Sequence, residues 1–390
     1  MPIVERDVYD AEHEALAEVV SAFLRKEIAP NLVEWESEGA LPRSAYLAAG
    51  KLGLLGLQIP DEYGGGGQDG FRFNCVVTEQ VAYERVAMGS MRVHTDVVVP
   101  YVLGLADSAQ RARWLPGMAS GELMSSIAMT EPGTGSDLAG MRSTLKPTAD
   151  GYLLSGAKTF ITGGSQSDLV VVAARSDSAE NRRDGLTLVV VEAGMTGFSR
   201  GRKLPKLGLH TQDTTELFFE NVEIPRENVL GEPGRAFTYL SANLAQERLS
   251  IAVNSQAQSV AAIETTCAYV RERNVFGRPL GTFQNTKFVL ADLTAQVAAG
   301  QALLDRAMRR HDEGALSAVE AAKVKLFCTE LHGRVVDACL QLHGGYGYVW
   351  EQDICRMYAD ARVSRIYGGT SEVMKTIIAR SLDLSGERPS

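Results

Sequence analysis

The first stretch whose residue types could do chemistry is Met129-Thr130-Glu131-Pro132-Gly133-Thr134-Gly135-Ser136-Asp137. Glycines here let the backbone come close to a ligand, and the hydroxyls of Thr130, Thr134 and Ser136 can line it with donors. Such a turn suits the polar edge of a flat heterocycle and the oxygens of a pyrophosphate. An ordinary surface loop has the same composition, and the stretch taken alone favours that reading. It is not a P-loop, because no Gly-Lys-Ser/Thr closes it, and Gly133-Thr134-Gly135 lacks the third glycine of the dinucleotide fingerprint. A second glycine run, Gly64-Gly65-Gly66-Gly67, could wrap an anion, but no lysine follows it and a surface turn is the better reading.

The elements that must position this loop follow from hydrophobic periodicity. Ser125-Ser126-Ile127-Ala128 reads as a buried strand leading into it. Residues 1–122 are helical in pattern: Leu16, Val19, Val20, Phe23 and Leu24 fall at helix spacing, Pro30 interrupts them, Pro42 opens a second helix, and another runs around Val76 to Val86. Over 123–228 the period changes. Tyr152-Leu153-Leu154 follows an Asp150-Gly151 turn, and Leu169 to Val172, Leu186 to Val191 and Leu217 to Phe219 are short β-branched or aromatic runs, predicting a β-barrel or sandwich. Over 229–390 long amphipathic patterns at 236–273, 282–309, 315–342 and 371–382 predict a four-helix bundle, and the last six residues read as a loose tail. The fold class expected is α+β, with helical, β and helical domains in that order.

Composition narrows the function. A chain of 390 residues with 45% hydrophobic and 22% charged content is an ordinary globular protein. Its net charge of -9 argues against a nucleic-acid groove or an anionic membrane as the main partner. Five scattered cysteines form no C-x-x-C pair, so no metal site is expected and a reducing compartment fits. The polar, acidic start and the lack of any apolar run near the ~20 residues of a membrane span make the cytoplasm the expected location.

Taken together, the motifs resemble the acyl-CoA dehydrogenase family over nearly the whole chain. The Thr130 to Asp137 turn is similar to that family's first flavin loop, which implies FAD contacts from Met129, Thr130, Gly135 and Ser136. Lys158-Thr159-Phe160-Ile161-Thr162-Gly163-Gly164 resembles the second, with Phe160, Ile161 and Thr162 at the flavin, although Gly163 stands where the usual pattern has Asn. Arg273-Asn274-Val275-Phe276-Gly277 and Gln284 resemble the adenine and pyrophosphate contact. The Gln341-Leu342-His343-Gly344-Gly345-Tyr346-Gly347 segment resembles the loop that reaches the same FAD from a neighbouring subunit, so the resemblance implies a homo-oligomer, a tetramer in this family. Thr370 and Glu372 complete the implied cofactor contacts. The physics agrees: Arg273 can neutralise a pyrophosphate, and Gly344 and Gly345 let amides approach its oxygens. A solvated helix face for Arg273 and a simple helix break at the glycines are the bland alternatives.

The resemblance also implies a reaction. Dehydrogenating an acyl-CoA to trans-2-enoyl-CoA needs a carboxylate base in a dry pocket and donors for the developing enolate oxygen. Many family members carry Tyr-Glu-Gly-Thr near the C-terminus, with that Glu as base. This chain reads Tyr367-Gly368-Gly369-Thr370, and Gly368 can abstract nothing. The long-chain and isovaleryl branches place the base on an earlier helix, where this chain has Glu247 in Gln246-Glu247-Arg248-Leu249-Ser250. Glu247 is therefore the implied base, the Gly368 N–H a donor to the thioester carbonyl, and Arg248, Gly369 and Ser136 the substrate-side contacts. A solvated helix carboxylate is the bland reading of Glu247. Electron-transferring flavoprotein is the implied electron acceptor. Three other readings use the same scaffold: a dehydrogenase for acyl groups on a carrier protein, a flavin oxidase or oxygenase, and a catalytically silent flavin-binding scaffold if Glu247 were exposed.

Overall fold

The computed structural model describes residues 6–176, 184–382 and 384; the tail formed by the last six residues lies outside them. The chain begins with helices α1 (Ala11–Phe23), α2 (Leu32–Glu38), α3 (Arg43–Lys51) and α4 (Arg72–Tyr83). A widened π turn at Val93–Val98 then runs without a break into α5 (Val99–Leu105), which is followed by α6 (Ser108–Ser120). Pro42 caps α3 as its position predicts, whereas Pro30 merely tightens the backbone into a 3-10 turn between α1 and α2.

The strands are β1 (Ser125–Ala128), β2 (Thr144–Pro147), β3 (Gly151–Thr162), β4 (Leu169–Arg175), β5 (Leu186–Glu192), β6 (Phe198–Lys203), β7 (Thr214–Pro225) and β8 (Val229–Leu230). They form one sheet in the order β6-β7-β3-β2-β4-β5-β8, with β1 added parallel to β4. β4 explains how the sheet is covered. Its even residues Val170, Val172 and Ala174 share a core with Val189 and Val191 of β5 and with Leu217 and Phe219 of β7. Since β5 and β7 are not neighbours in the sheet, the sheet must curl around that interior. The odd residues Leu169, Val171 and Ala173 pack instead on Trp114, Leu115 and Met118 of α6. A strand buried on both faces reads as an unbroken apolar run, which is what Leu169 to Ala174 is.

The C-terminal part is built on α7 (Ala236–Glu272), 37 residues and about 55 Å long. A two-strand hairpin of β9 (Asn274–Val275) and β10 (Arg278–Pro279) links it to α8 (Gln284–Asp312), and α9 (Ala318–His343) follows. Two short helices, α10 (Asp353–Ala361) and α11 (Ser371–Arg380), complete the bundle. α10 has no counterpart in the sequence reading, because the aromatic and glycine residues on its N-terminal side read as loop. α7 is buried on most of its circumference. Leu249, Ala252 and Val253 share one core with Phe71 and Cys75 of the N-terminal helices, Leu304 of α8 and Val324 and Cys328 of α9. A helix covered all round belongs at the centre of the fold, and this one carries Glu247.

Candidate active site

Glu247 lies on the first half of α7 and is 8% exposed. Tyr101 of α5, wholly buried, donates its phenol hydrogen to Glu247 Oε1 at 3.2 Å. Burial pushes the carboxyl up to about 7, while Tyr101 and the adjacent Arg248 pull the other way. The π turn ahead of α5 locks the two helices together. Ser250 Oγ donates to the Asp96 carboxylate at 2.5 Å, and Gln246 Nε2 donates to the Asp96 carbonyl at 2.8 Å. The extra residue in a π turn re-aims the side chains around it, which here places both Asp96 and Tyr101 against α7. Arg248 is buried beside Glu247, yet among the described residues it forms no hydrogen bond or ion pair. A buried guanidinium with open donors suits a substrate-side contact.

The glycine turn comes to the same face of α7. Ile251 follows Glu247 by one helical turn, and its Cδ1 lies 2.3 Å from where a Cβ on Gly368 would sit. Gly368 and Gly369 have φ of +63° and +92°. A glutamate at 368 would therefore strain the backbone and displace Ile251. Among the described residues the Gly368 N–H has no backbone partner. Arg92 ties this turn to α7, donating to the Ser250 carbonyl at 3.3 Å and to the Tyr367 hydroxyl at 3.4 Å. Thr370 caps α11, accepting from the Val373 N–H at 3.3 Å, and Glu372 stands exposed in the first turn.

A second group forms on the sheet. The loop after β1 is anchored from below by a buried ion pair, Lys158 Nζ to Glu131 Oε1 at 2.9 Å, with the N–H groups of Arg142 and Ser143 also donating to Glu131 at 2.7 and 2.9 Å. Lys158 also donates to the Met129 carbonyl at 3.1 Å, and the Thr159 N–H to the Thr130 carbonyl at 2.9 Å. Glu131 thus serves the loop's shape, and Gly133, Gly135 and Ser136 are left facing open space. Directly above, a bulge in β3 turns Phe160 out at φ +59° and 66% exposed, next to Ile161 and Thr162. A large aromatic held outward in a backbone region that non-glycine residues avoid points to something that covers it. Thr162 accepts from Gln212 Nε2 at 3.3 Å.

A third group lies at the far end of α7. Arg273, Gln341, Gly344 and Gly345 line one cleft of about 470 Å³ with Tyr269 and Tyr346. Tyr269 stacks on His343 at 4.2 Å and donates to its carbonyl at 3.2 Å, which fixes the turn where Gly344 takes φ +59°. Arg273 lies 5.5 Å from the Tyr346 ring and has no carboxylate partner among the described residues. Phe276 stands at the tip of the β9–β10 hairpin, 96% exposed, and Gln284 is exposed at the start of α8; neither lines the cleft. A ring-edge face with an uncovered aromatic and an anion-ready cleft with an unpaired arginine fit the two ends of a flavin dinucleotide.

Comparison with known proteins names the family that this arrangement serves. Family models for the acyl-CoA dehydrogenase N-terminal, middle and C-terminal domains match residues 10–122, 126–222 and 234–382. The chain belongs to the acyl-CoA dehydrogenase family. It is 40% identical to the mitochondrial long-chain specific acyl-CoA dehydrogenase of Sus scrofa over 97% of this chain and 88% of that one. Among solved structures it resembles an acyl-CoA dehydrogenase from Geobacillus kaustophilus with a TM-score of 0.94 and 41% identity, covering 96% of this chain and 99% of the other. It also resembles a glutaryl-CoA dehydrogenase from Mycobacterium smegmatis in complex with FADH2, with a TM-score of 0.89 and 25% identity, covering 98% and 96%. This acyl-CoA dehydrogenase is an FAD flavoprotein and an oxidoreductase. No helix among its described residues is long and apolar enough to cross a membrane.

The sequence reading missed three groups around the site. Tyr101 carries no local signal, since its role comes from the packing of α5 on α7. The Lys158–Glu131 pair joins two motifs that read separately as loop and strand. Lys325 did leave a signal: it falls on the apolar stripe of α9 between Ala321 and Cys328, where a lysine is out of place.

Proposed function

We propose that this enzyme oxidises an acyl-CoA thioester to the trans-2-enoyl-CoA with Glu247 as the base that removes the α proton. The observation that carries the reading is a buried carboxylate whose pKa of about 7 keeps it close to the working pH, beside a turn with an unused N–H. The burial of Glu247 also speaks against the catalytically silent reading, which required it to be exposed. FAD, when bound, supplies the acceptor for the hydride that leaves Cβ. Glu247 takes the proton from Cα as that C–H bond breaks, and the electron pair left behind forms the double bond. The Gly368 N–H donates to the thioester carbonyl, where negative charge develops. Arg248, Gly369 and Ser136 hold the substrate. On the flavin side we assign Met129, Thr130, Gly135, Ser136, Phe160, Ile161 and Thr162 to the ring system, with Thr370 and Glu372 beside it. Arg273, Phe276, Gln284, Gln341, Gly344 and Gly345 meet the adenosine pyrophosphate.

This division supports an oligomer. Roughly 39 Å of helix separates Glu247 from Arg273, longer than one extended flavin dinucleotide, so the cleft of one chain serves the base of another. A homotetramer with electron-transferring flavoprotein as acceptor is the assembly we propose, on the family resemblance. The test is anaerobic titration of the purified flavoprotein with a panel of acyl-CoAs. Bleaching of flavin absorbance with formation of enoyl-CoA is expected; an unbleached spectrum across the panel contradicts the reading.

A further inference from the structure

Lys325 on α9 is 1% exposed, among the described residues it has no carboxylate partner, and burial together with the nearby Arg248 pushes its pKa down to about 7. Its ammonium donates instead to the Tyr367 carbonyl at 2.6 Å and to the Gly369 carbonyl. Burying a charge costs several kcal/mol unless it is well paired, and a methionine would fill the same space without that cost. The charge is spent on the two carbonyls that flank Gly368.

The geometry gives those two bonds a purpose. Two carbonyls, on residues either side of a single glycine, converge on one ammonium only if the chain folds back between them. The successive positive φ values of Gly368 and Gly369 provide that fold. No peptide bond here is cis, so the Tyr367 carbonyl and the Gly368 N–H of the same peptide point in opposite directions. Holding the carbonyl towards α9 therefore turns the N–H away from α9. A cation on the carbonyl oxygen also draws electron density through the peptide and makes its N–H a stronger donor.

We infer that Lys325 is the positioning residue for carbonyl recognition: by pinning the Tyr367 and Gly369 carbonyls it aims and strengthens the Gly368 N–H that receives the substrate's thioester oxygen. The inference rests on the thioester dehydrogenase reading above and adds a residue that touches neither substrate nor cofactor.

The experiment uses the holoenzyme and cinnamoyl-CoA, an unreactive enoyl thioester whose absorbance moves to longer wavelength as its carbonyl is polarised. Wild-type enzyme is expected to produce a red shift on binding. Lys325→Met is expected to keep its FAD, bind cinnamoyl-CoA within a few-fold, lose most of the red shift, and lose about 10–100-fold in kcat, short of the full effect of deleting an oxyanion donor. Lys325→Gln, which keeps a neutral donor group, is expected to fall between them. A red shift and kcat at wild-type levels in Lys325→Met overturn the inference. So does a shift lost only in proportion to lost FAD, or the failure of both variants to fold with FAD, since each marks a purely structural lysine. The red shift does not depend on proton abstraction. If Glu247→Gln reduces its flavin normally while Lys325→Met still abolishes the shift, the base assignment fails and the Lys325 inference stands. If wild-type enzyme binds no acyl-CoA at all, the thioester reading itself fails.

Discussion

Tyr101 and Glu247 meet across the interface of α5 and α7, phenol to carboxylate at 3.2 Å, and neither side chain is open to bulk water. The bond matters because burial alone would drive the carboxyl further towards its neutral form. Tyr101→Phe removes a donor to the charged form while keeping the ring's packing. Its kcat/KM profile is expected to shift to higher pH by roughly one unit, equal to the ~1.4 kcal/mol typical of such a hydrogen bond, with FAD content unchanged. An unmoved profile would mean that Tyr101 does not tune the base.

The wild-type profile has a definite sign. A base must be deprotonated to act, and the pKa of Glu247 is raised, to about 7. kcat/KM should therefore fall about tenfold per pH unit below that value. A rate independent of pH between 5 and 7 would be inconsistent with a buried glutamate base.

The Lys158–Glu131 pair should control flavin retention through the shape of the 129–137 loop. Lys158→Met strands a buried carboxylate and is expected to cost about 3–5 kcal/mol, read as a lower Tm and partial loss of FAD. Adding Glu131→Gln removes the unpaired charge and should recover much of that loss. A double variant less stable than the single would show that the pair is not the anchor.

The proposed sharing of sites between chains makes a prediction about mixtures. Glu247→Gln and Arg273→Glu should each be inactive alone. Co-assembled, they leave some sites with an intact base from one chain and an intact cleft from another, so activity should reappear. A mixture as inactive as its parents would place the base and Arg273 contact on a single chain.

Much of this was legible in the sequence because it rests on local pattern. The unbroken apolar run of β4 and the amphipathic stretches of α8 and α9 declare themselves by periodicity, and α7 by its length. The glycine loops declare themselves by what they lack. What was hidden depends on contacts between distant segments. Nothing near Tyr101 reveals that a π turn will swing it onto Glu247, and nothing in Tyr367-Gly368-Gly369-Thr370 reveals that Lys325 holds it. Short α10 and the two-residue strands carry too few residues for a period to show.

The central claim is that Glu247 removes the α proton. Glu247→Gln preserves shape and hydrogen bonding but cannot take the proton, so FAD and acyl-CoA should bind as before. Stopped-flow flavin reduction by a good acyl-CoA substrate should be slower than wild type by about 10²–10⁴-fold. Reduction at the wild-type rate would put the base elsewhere and contradict this account of the site.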